Sequence, residues 1–271
     1  FPGENMPGGG QMEIRMVASM HTEDPDELEV AHRAKPYDMD SWYTEWNRIA
    51  EKNEQMADAY ARDGLRESAN EFYLRASRFY REANFYLPDT YPHQLSSYRK
   101  YRETFDKAWE MVPPPFERVT VTIQGKALPG YFRKPRGAAN QRFPVVIGFQ
   151  GADSMAENTI MGGASGFVAR GMAYFVMDFP GQGGAQRLEN MYLPPNTETM
   201  VAPVIDYLAT RPDIDTSRIA LHGISMGGFA APRAAAADKR ISAVMAASAS
   251  FDLLRDLFDY YPPIQDRVRW I

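Results

Sequence analysis

Apolar positions recur along the chain at two different spacings. From residue 40 to 111 the repeat is helical. Trp42, Trp46, Ile49, Asn53, Met56 and Tyr60 fall every three or four residues, which is one face of a helix. Asp40 or Ser41 is placed to cap its start. Gly64 interrupts the pattern. Leu65, Ala69, Phe72, Ala76, Phe79 and Ala83 form a second stripe that ends near Pro88, and Leu95, Tyr98, Tyr101, Phe105, Ala108 and Trp109 form a third. The expectation is a helical hairpin followed by one more helix. The spacing has a faint tetratricopeptide character, but a solenoid needs about three repeats. A helical appendage packed on a neighbouring domain is the better reading, with a lid or a dimer contact as its roles. Residues 1–39 carry little periodicity. Gly8-Gly9-Gly10 and the acidic run Glu23-Asp24-Pro25-Asp26-Glu27 read as an arm and a loop.

Pro113-Pro114-Pro115 cannot continue a helix, and the period changes after it. The expected organisation is therefore an arm over 1–39, a helical domain over 40–112 and a second domain over 113–271. Val119, Val121 and Ile123 alternate with polar residues as in a half-buried strand. Gly125-Lys126 is a turn, and Leu128–Arg133 returns as the hairpin partner. Pro144–Phe149 is a continuous apolar run of the kind that lies in a strand buried on both faces. Beyond it the pattern predicts a helix near 157–170, a strand at 173–178, a helix near 197–210, a strand at 218–222, a helix at 226–237 and a strand at 241–247. Strands alternating with helices make an α/β fold, a mostly parallel sheet covered on both faces, here with an antiparallel edge from the leading hairpin.

Composition narrows the function classes. With 44% hydrophobic residues the chain of 271 can bury a sizeable core. A net charge of −5 and the lack of a long basic run argue against nucleic-acid binding. No apolar run is long enough to span a bilayer, so no membrane partner is expected. Cysteine is absent, which excludes disulfides, thiolate metal sites and a cysteine nucleophile. A cytoplasmic protein is the simplest expectation. The chain begins Phe1-Pro2 rather than with Met, so an upstream segment is expected to have been lost.

The strand Arg218–His222 runs into Gly223-Ile224-Ser225-Met226-Gly227-Gly228, and a helix follows. This is the context that the G-x-S-x-G nucleophile elbow of α/β-hydrolases requires. The serine must stand proud on a tight turn at the carboxyl end of the sheet, and small residues at 223 and 227 let strand and helix approach. Ser225 is thus the candidate nucleophile, against the alternative of a chance pentapeptide on a structural turn. The loop Gln150-Gly151-Ala152-Asp153-Ser154 follows the first buried strand, where this fold places one oxyanion donor. Ala152 N–H and Met226 N–H are the candidate pair, although an ordinary strand-to-helix loop capped by Asp153 or Ser154 competes. Asp178-Phe179-Pro180-Gly181-Gln182-Gly183-Gly184 lacks the spacing and lysine of a phosphate loop. It reads as a glycine-bearing turn lining the site from beneath, with Asp178 stabilising the turn.

A serine nucleophile needs a base. His21 and His32 lie in the arm, His93 in the helical domain, and His222 on the strand before the elbow, where it reads as a core residue. In this fold the order is nucleophile, acid, histidine, and none of the four histidines follows Ser225. Asp252, after the strand at 241–247, is the candidate acid, with Asp256 and Asp259 as its neighbours; all three also suit helix starts or surface charges. The fold normally carries two more strands than are seen here. The expectation is that the family's acid and histidine and these C-terminal strands lie beyond Ile271, and that 251–271 begins a cap.

The order of helical domain, proline break, Leu128-Pro129-Gly130-Tyr131, the Gly151–Ser154 loop, the Pro180-Gly181-Gln182-Gly183 turn and the elbow resembles one α/β-hydrolase subgroup. It includes 2,6-dihydroxypseudooxynicotine hydrolase, the fermentation–respiration switch protein and the fungal yellowish-green polyketide-shortening hydrolases. The resemblance covers roughly residues 40–255. It implies a serine hydrolase of esters or of C–C bonds beside a ketone, acting on a small molecule, without metal or organic cofactor, and assembled as a homodimer. A non-catalytic binding protein of the same fold and a thioesterase-like or acyltransferase-like partner of a polyketide pathway are the alternatives.

Overall fold

A computed structural model describes residues 22–35, 38–85, 87–137, 140–252 and 255. His21, Asp256, Asp259 and most of the expected cap lie outside the described residues. The chain divides into two compact units on either side of Pro114.

The helical unit opens with α1 (Pro25–Arg33), in a stretch that the sequence pattern left as arm and loop. The signal there is in the capping residues, not in periodicity. Asp24 accepts from Asp26 N at 3.0 Å, Pro25 fixes the first turn, and Asp26 and Glu27 sit at the positive end of the helix dipole. The acidic run is also spent on ion pairs: Arg75 reaches Asp24 at 2.9 Å and Asp26 at 3.0 Å, Arg78 reaches Asp24 at 2.7 Å, and Lys52 reaches Asp26 at 2.8 Å. Helix α2 (Met39–Arg62) is capped by Asp38 through Ser41 N, ahead of Asp40 and Ser41, the two residues expected. Gly64 then adopts φ +76° and turns the chain into α3 (Arg66–Asn84). Leu65, placed in the second stripe by its spacing, sits at the cap position and is exposed. Helix α4 (Gln94–Met111) completes the unit.

Helix α3 packs against both α2 and α4. Ala69, Ala76 and Ala83, seven residues apart, are fully buried along it and let its neighbours approach closely. Trp42, Trp46, Ile49, Phe79, Tyr80, Tyr98 and Tyr101 fill the core. Inside that core Glu54 is buried and accepts from Tyr80 Oη at 2.7 Å, Lys107 Nζ at 2.9 Å and Lys100 Nζ at 3.1 Å. A buried carboxylate is tolerable only when its lone pairs are satisfied in this way.

The second unit is built on a six-stranded sheet in the order β1-β2-β4-β3-β5-β6. Strands β1 (Glu117–Ile123) and β2 (Lys126–Arg133) form the hairpin, and β2 runs antiparallel to β4 (Ala173–Met177). From β4 the sheet is parallel through β3 (Phe143–Phe149), β5 (Ile214–Ile224) and β6 (Ile241–Ala247). The unit is α/β, with a mostly parallel sheet. Strand β5 starts four residues earlier than its apolar run, because Ile214 pairs with Phe143 before a bulge. The helix expected over 157–170 is two, α5 (Ala156–Gly162) and α6 (Ala164–Ala169), separated at Gly163. The one expected over 197–210 is a 3₁₀ turn at Thr197–Thr199 followed by α8 (Ala202–Ala209). Between β4 and these lies the short α7 (Gly183–Arg187), and α9 (Met226–Ala237) connects β5 to β6. Val145, Ile147, Phe149, Phe175, Ile219 and Leu221 pack with Val204, Leu208, Ala230 and Ala234 into one core. Among the described residues β6 is an edge strand, and Met245, Ala246 and Ala247 on it are exposed.

Candidate active site

Parallel pairing brings the carboxyl ends of β4, β3 and β5 together: Gly148 stands opposite Val176, and Phe149 opposite Gly223. The loops that leave these strands are the turn after Met177, the segment 150–155 and the elbow at Ser225. Each sequence-predicted piece of the site therefore emerges on one rim of one sheet.

Ser225 occupies the junction of β5 and α9 with φ 55° and ψ −117°. A serine at positive φ is strained. The strain is held by Ser225 N–H donating to Ala247 O on the adjacent strand at 2.9 Å and by Phe229 N–H donating to Ser225 O at 3.1 Å, the first bond of α9. The result is a serine that is exposed while both neighbouring glycines, 223 and 227, are buried. Those glycines are required sterically. A β-carbon on Gly223 would collide with the carbonyl of Gly227, and one on Gly227 with the carbonyls of Phe149 and Gln150.

The 150–155 loop lies against the elbow. A β-carbon built on Gly151 would be 3.4 Å from Ser225 Cβ. Ala152, the residue expected to offer an oxyanion donor, is the next in the chain and is partly exposed, as is Met226 at the first position of α9. The first N–H groups of a helix have no partner within it, so Met226 N–H is available there by construction.

Beneath this loop the turn after β4 is wired to both sides. Asp178 is buried; Oδ1 accepts from Ala156 N at 2.8 Å and Oδ2 from Gly184 N at 2.8 Å. It thereby ties the start of α5 to the start of α7. Gln182 is buried too. Its Nε2 donates to Gln150 O at 2.8 Å and Gly151 O at 3.1 Å, while Oε1 accepts from Phe179 N at 3.1 Å. Gln150 donates from Nε2 to Met177 O at 3.2 Å and accepts from Thr159. The glutamines were invisible as site residues in the sequence. The signal for Gln182 is the Pro-Gly-Gln-Gly turn, in which the glycines draw notice first, and that for Gln150 is its place in the loop after β3.

His222 packs its ring 5.2 Å from that of Phe167, which stacks in turn on Tyr174, and burial lowers its pKa. That is the environment of a packed histidine. His32 and His93 belong to the helical unit, where His93 stacks on Tyr43 at 4.9 Å. Asp252 is exposed and accepts from Arg255 N at 3.2 Å, the local pattern of a chain-turning carboxylate. Among the described residues no group of His, Asp and Glu is arranged to hold a metal ion, and no helix is long and apolar enough to cross a membrane.

The profile of the family described as esterase FrsA-like matches residues 10–259. The chain belongs to the FrsA-like esterase family. Within the α/β-hydrolases it is 35% identical over 245 residues to hydrolase LUC6 of a Fusarium species, covering 87% of this chain and 58% of that protein. It is 33% identical over 235 residues to 20-hydroxy-prefusarin hydrolase FUS2 of Gibberella moniliformis, covering 83% of this chain and 56% of that protein. It thus spans little more than half the length of these FrsA-like relatives. Among solved structures, 2,6-dihydroxy-pseudo-oxynicotine hydrolase superposes with a TM-score of 0.75 at 26% identity, covering 94% of this chain and 69% of the other. The subgroup read from the order of motifs is the one that these relatives occupy.

Proposed function

We propose that this FrsA-like chain carries the nucleophile and oxyanion elements of a serine hydrolase. Its substrate in this reading is a small ester, or a ketone with a cleavable C–C bond, of aromatic or polyketide character. The observation that carries the reading is Ser225: exposed, held at φ 55° between β5 and α9, and lying against Gly151. Such a turn stores strain and has no packing purpose that an ordinary residue would not serve better. Ser225 Oγ gives its proton to a base and attacks the carbonyl carbon, the carbonyl oxygen takes up negative charge against Met226 N–H and Ala152 N–H, and the base returns the proton to the leaving group. Collapse expels an alcohol, or in the C–C case a stabilised carbanion that is protonated. Water then attacks the acyl-Ser225 ester, and the acid product leaves. Asp252 keeps the place of the catalytic acid by its position after β6, and the base is assigned to no residue of the chain. The names of the FUS2 and 2,6-dihydroxy-pseudo-oxynicotine relatives favour multiply functionalised, ring-bearing or polyketide substrates over simple peptides. Self-association as a cytoplasmic homodimer belongs to the same reading.

The test uses the intact protein with p-nitrophenyl butyrate as substrate and a fluorophosphonate as label. Ser225→Ala should abolish both turnover and labelling while leaving the circular dichroism spectrum unchanged. Turnover at the wild-type rate in that variant would sink the reading.

A further inference from the structure

The candidate oxyanion loop is held by a side chain from the turn after β4, and the bonds it makes bear on where the loop's N–H groups point. A trans peptide unit is planar and rigid, with its C=O and N–H directed oppositely, and no cis peptide occurs among the described residues. The carbonyl of Gln150 shares its plane with Gly151 N–H, and the carbonyl of Gly151 shares its plane with Ala152 N–H. Fixing these two carbonyls therefore fixes the directions of both N–H groups. Gln182 Nε2 reaches both, donating to Gln150 O at 2.8 Å and Gly151 O at 3.1 Å. Ser154 N–H adds a backbone bond to the Gly151 carbonyl at 3.2 Å. The orientation of the amide is itself determined. Carbonyl oxygens only accept and Phe179 N–H only donates, so the reversed amide would oppose three like partners.

We propose that Gln182 is a positioning residue: it aims the Gly151 and Ala152 N–H groups by drawing the carbonyls behind them toward the turn after β4. The inference rests on the serine-hydrolase reading above and adds to it a residue whose side-chain bonds run to backbone groups. Because the turn is itself anchored by Asp178 to the start of α5 and of α7, the loop's donors are referenced to the sheet rather than to their own flexible segment. Preorganisation of this kind matters because the oxyanion exists only fleetingly. Donors that must reorient on its appearance stabilise it less than donors already in place. The effect should fall on the transition state and spare ground-state binding, which the Gln182 side chain does not contact.

The experiment is steady-state hydrolysis of p-nitrophenyl butyrate by the intact wild-type protein, Gln182→Met, Gln182→Glu and Ser225→Ala. Methionine keeps the length of glutamine and removes both the donor and the acceptor. Loss of one oxyanion donor costs on the order of 10²–10³ in rate. Misaiming should therefore lower kcat of Gln182→Met by about 10–100-fold with KM within about threefold of wild type. In Gln182→Glu the introduced carboxyl donates to one carbonyl and accepts from Phe179 N–H only when protonated, so its kcat relative to that of Gln182→Met at the same pH should rise as pH falls. A kcat for Gln182→Met within about twofold of wild type would overturn the proposal, as would a loss confined to KM, or a ratio of Gln182→Glu to Gln182→Met that does not rise as pH falls. Unfolding of both Gln182 variants by circular dichroism would overturn it too, since the side chain would then serve only the fold. Failure of the parent reading looks different: Ser225→Ala would keep its turnover whatever the Gln182 variants do.

Discussion

Asp178 offers the sharpest test of how the rim of the sheet is built. Its two oxygens each accept one backbone N–H, Ala156 and Gly184, both at 2.8 Å and both buried. In Asp178→Asn the side chain keeps its size but has one acceptor and one donor. Whichever way the amide turns, one of the two N–H groups faces an NH₂. The group left without an acceptor costs about 1–3 kcal/mol, and the surviving bond drops from charge-assisted to neutral, about 1 kcal/mol more. Against this, the amide avoids the desolvation that a buried carboxylate suffers. The net expectation is a loss of about 2–3 kcal/mol, equivalent to roughly 30–150-fold. Of the four tryptophans, Trp42, Trp46 and Trp109 lie in the helical unit and Trp270 lies outside the described residues, so tryptophan fluorescence does not report selectively on this rim. Hydrogen exchange read by mass spectrometry on peptides spanning β3, β4 and the start of α5 does. Those amides should exchange faster by about that factor. A change below threefold would refute the two-bond accounting. A lost activity with unchanged exchange would instead put Asp178 in the chemistry and overturn its reading as the anchor of the turn.

Gly227→Ala places a β-carbon inside the carbonyls of Phe149 and Gln150. Overpacking against backbone that cannot rotate away costs about 1–3 kcal/mol, so the melting temperature should fall and fluorophosphonate labelling should slow; an unchanged melting temperature would contradict the packing seen at the elbow. Gly162→Ala is the matching control, since nothing lies within 4 Å of its β-carbon and its φ is negative; it should be neutral or stabilising by about 0.5–1 kcal/mol in the same thermal melt. On the acid side, stability should fall in two stages. Burial pushes the Asp213 carboxyl up, but Arg211 and Lys134 outweigh it and hold it at about 2. Glu54 is likewise raised by burial and lowered further by Lys107, Tyr80 and Lys100. Carboxylates depressed in the fold contribute stability that is present above their unfolded pKa, about 4, and lost as pH falls through the folded value. Burial lowers His222, so protonation of the unfolded chain below about pH 6.5 adds a shallower loss. The urea midpoint should decline gently below about pH 6.5 and steeply from about pH 4 downward; a midpoint flat from pH 7 to 3 would refute these assignments.

The elements were legible wherever one period ran uninterrupted. Helix α9 and strand β6 have the bounds that the pattern predicts, because each is bracketed by residues that end it locally. Helix α1 was missed because nine residues are too few for a stripe, and its evidence is the cap at Asp24-Pro25 and charges that pair with residues about 50 positions away. No local reading finds Arg75 and Arg78 from Asp24. The long β5 was read short for a related reason. Asp215, Thr216 and Ser217 look like loop, and only pairing across the sheet, Phe143 with Ile214, reveals where the strand begins.

The site divides along the same line. Ser225, Gly223 and Gly227 are readable because the elbow imposes its demands within five residues: a strained φ and two positions with no room for a side chain. The donors that would complete it are backbone groups, and a backbone N–H leaves no mark on the residue that bears it. What sets their direction is 30 residues away, in a glutamine whose partners are again backbone atoms. A motif that acts through the main chain can therefore be recognised only by what surrounds it. Pro180-Gly181-Gln182-Gly183 looked like a turn because two of its residues must bend. Gly181 takes φ +89° and Gly183 +36°, and a β-carbon on either would strike Leu193 or Asp178. Those bends bring Gln182 under β3 and Asp178 under α5 and α7 at once. The glycines in the motif are thus a consequence of where its two polar side chains have to reach, and a substitution that preserved the turn but not the glutamine should leave the fold standing and the rate diminished.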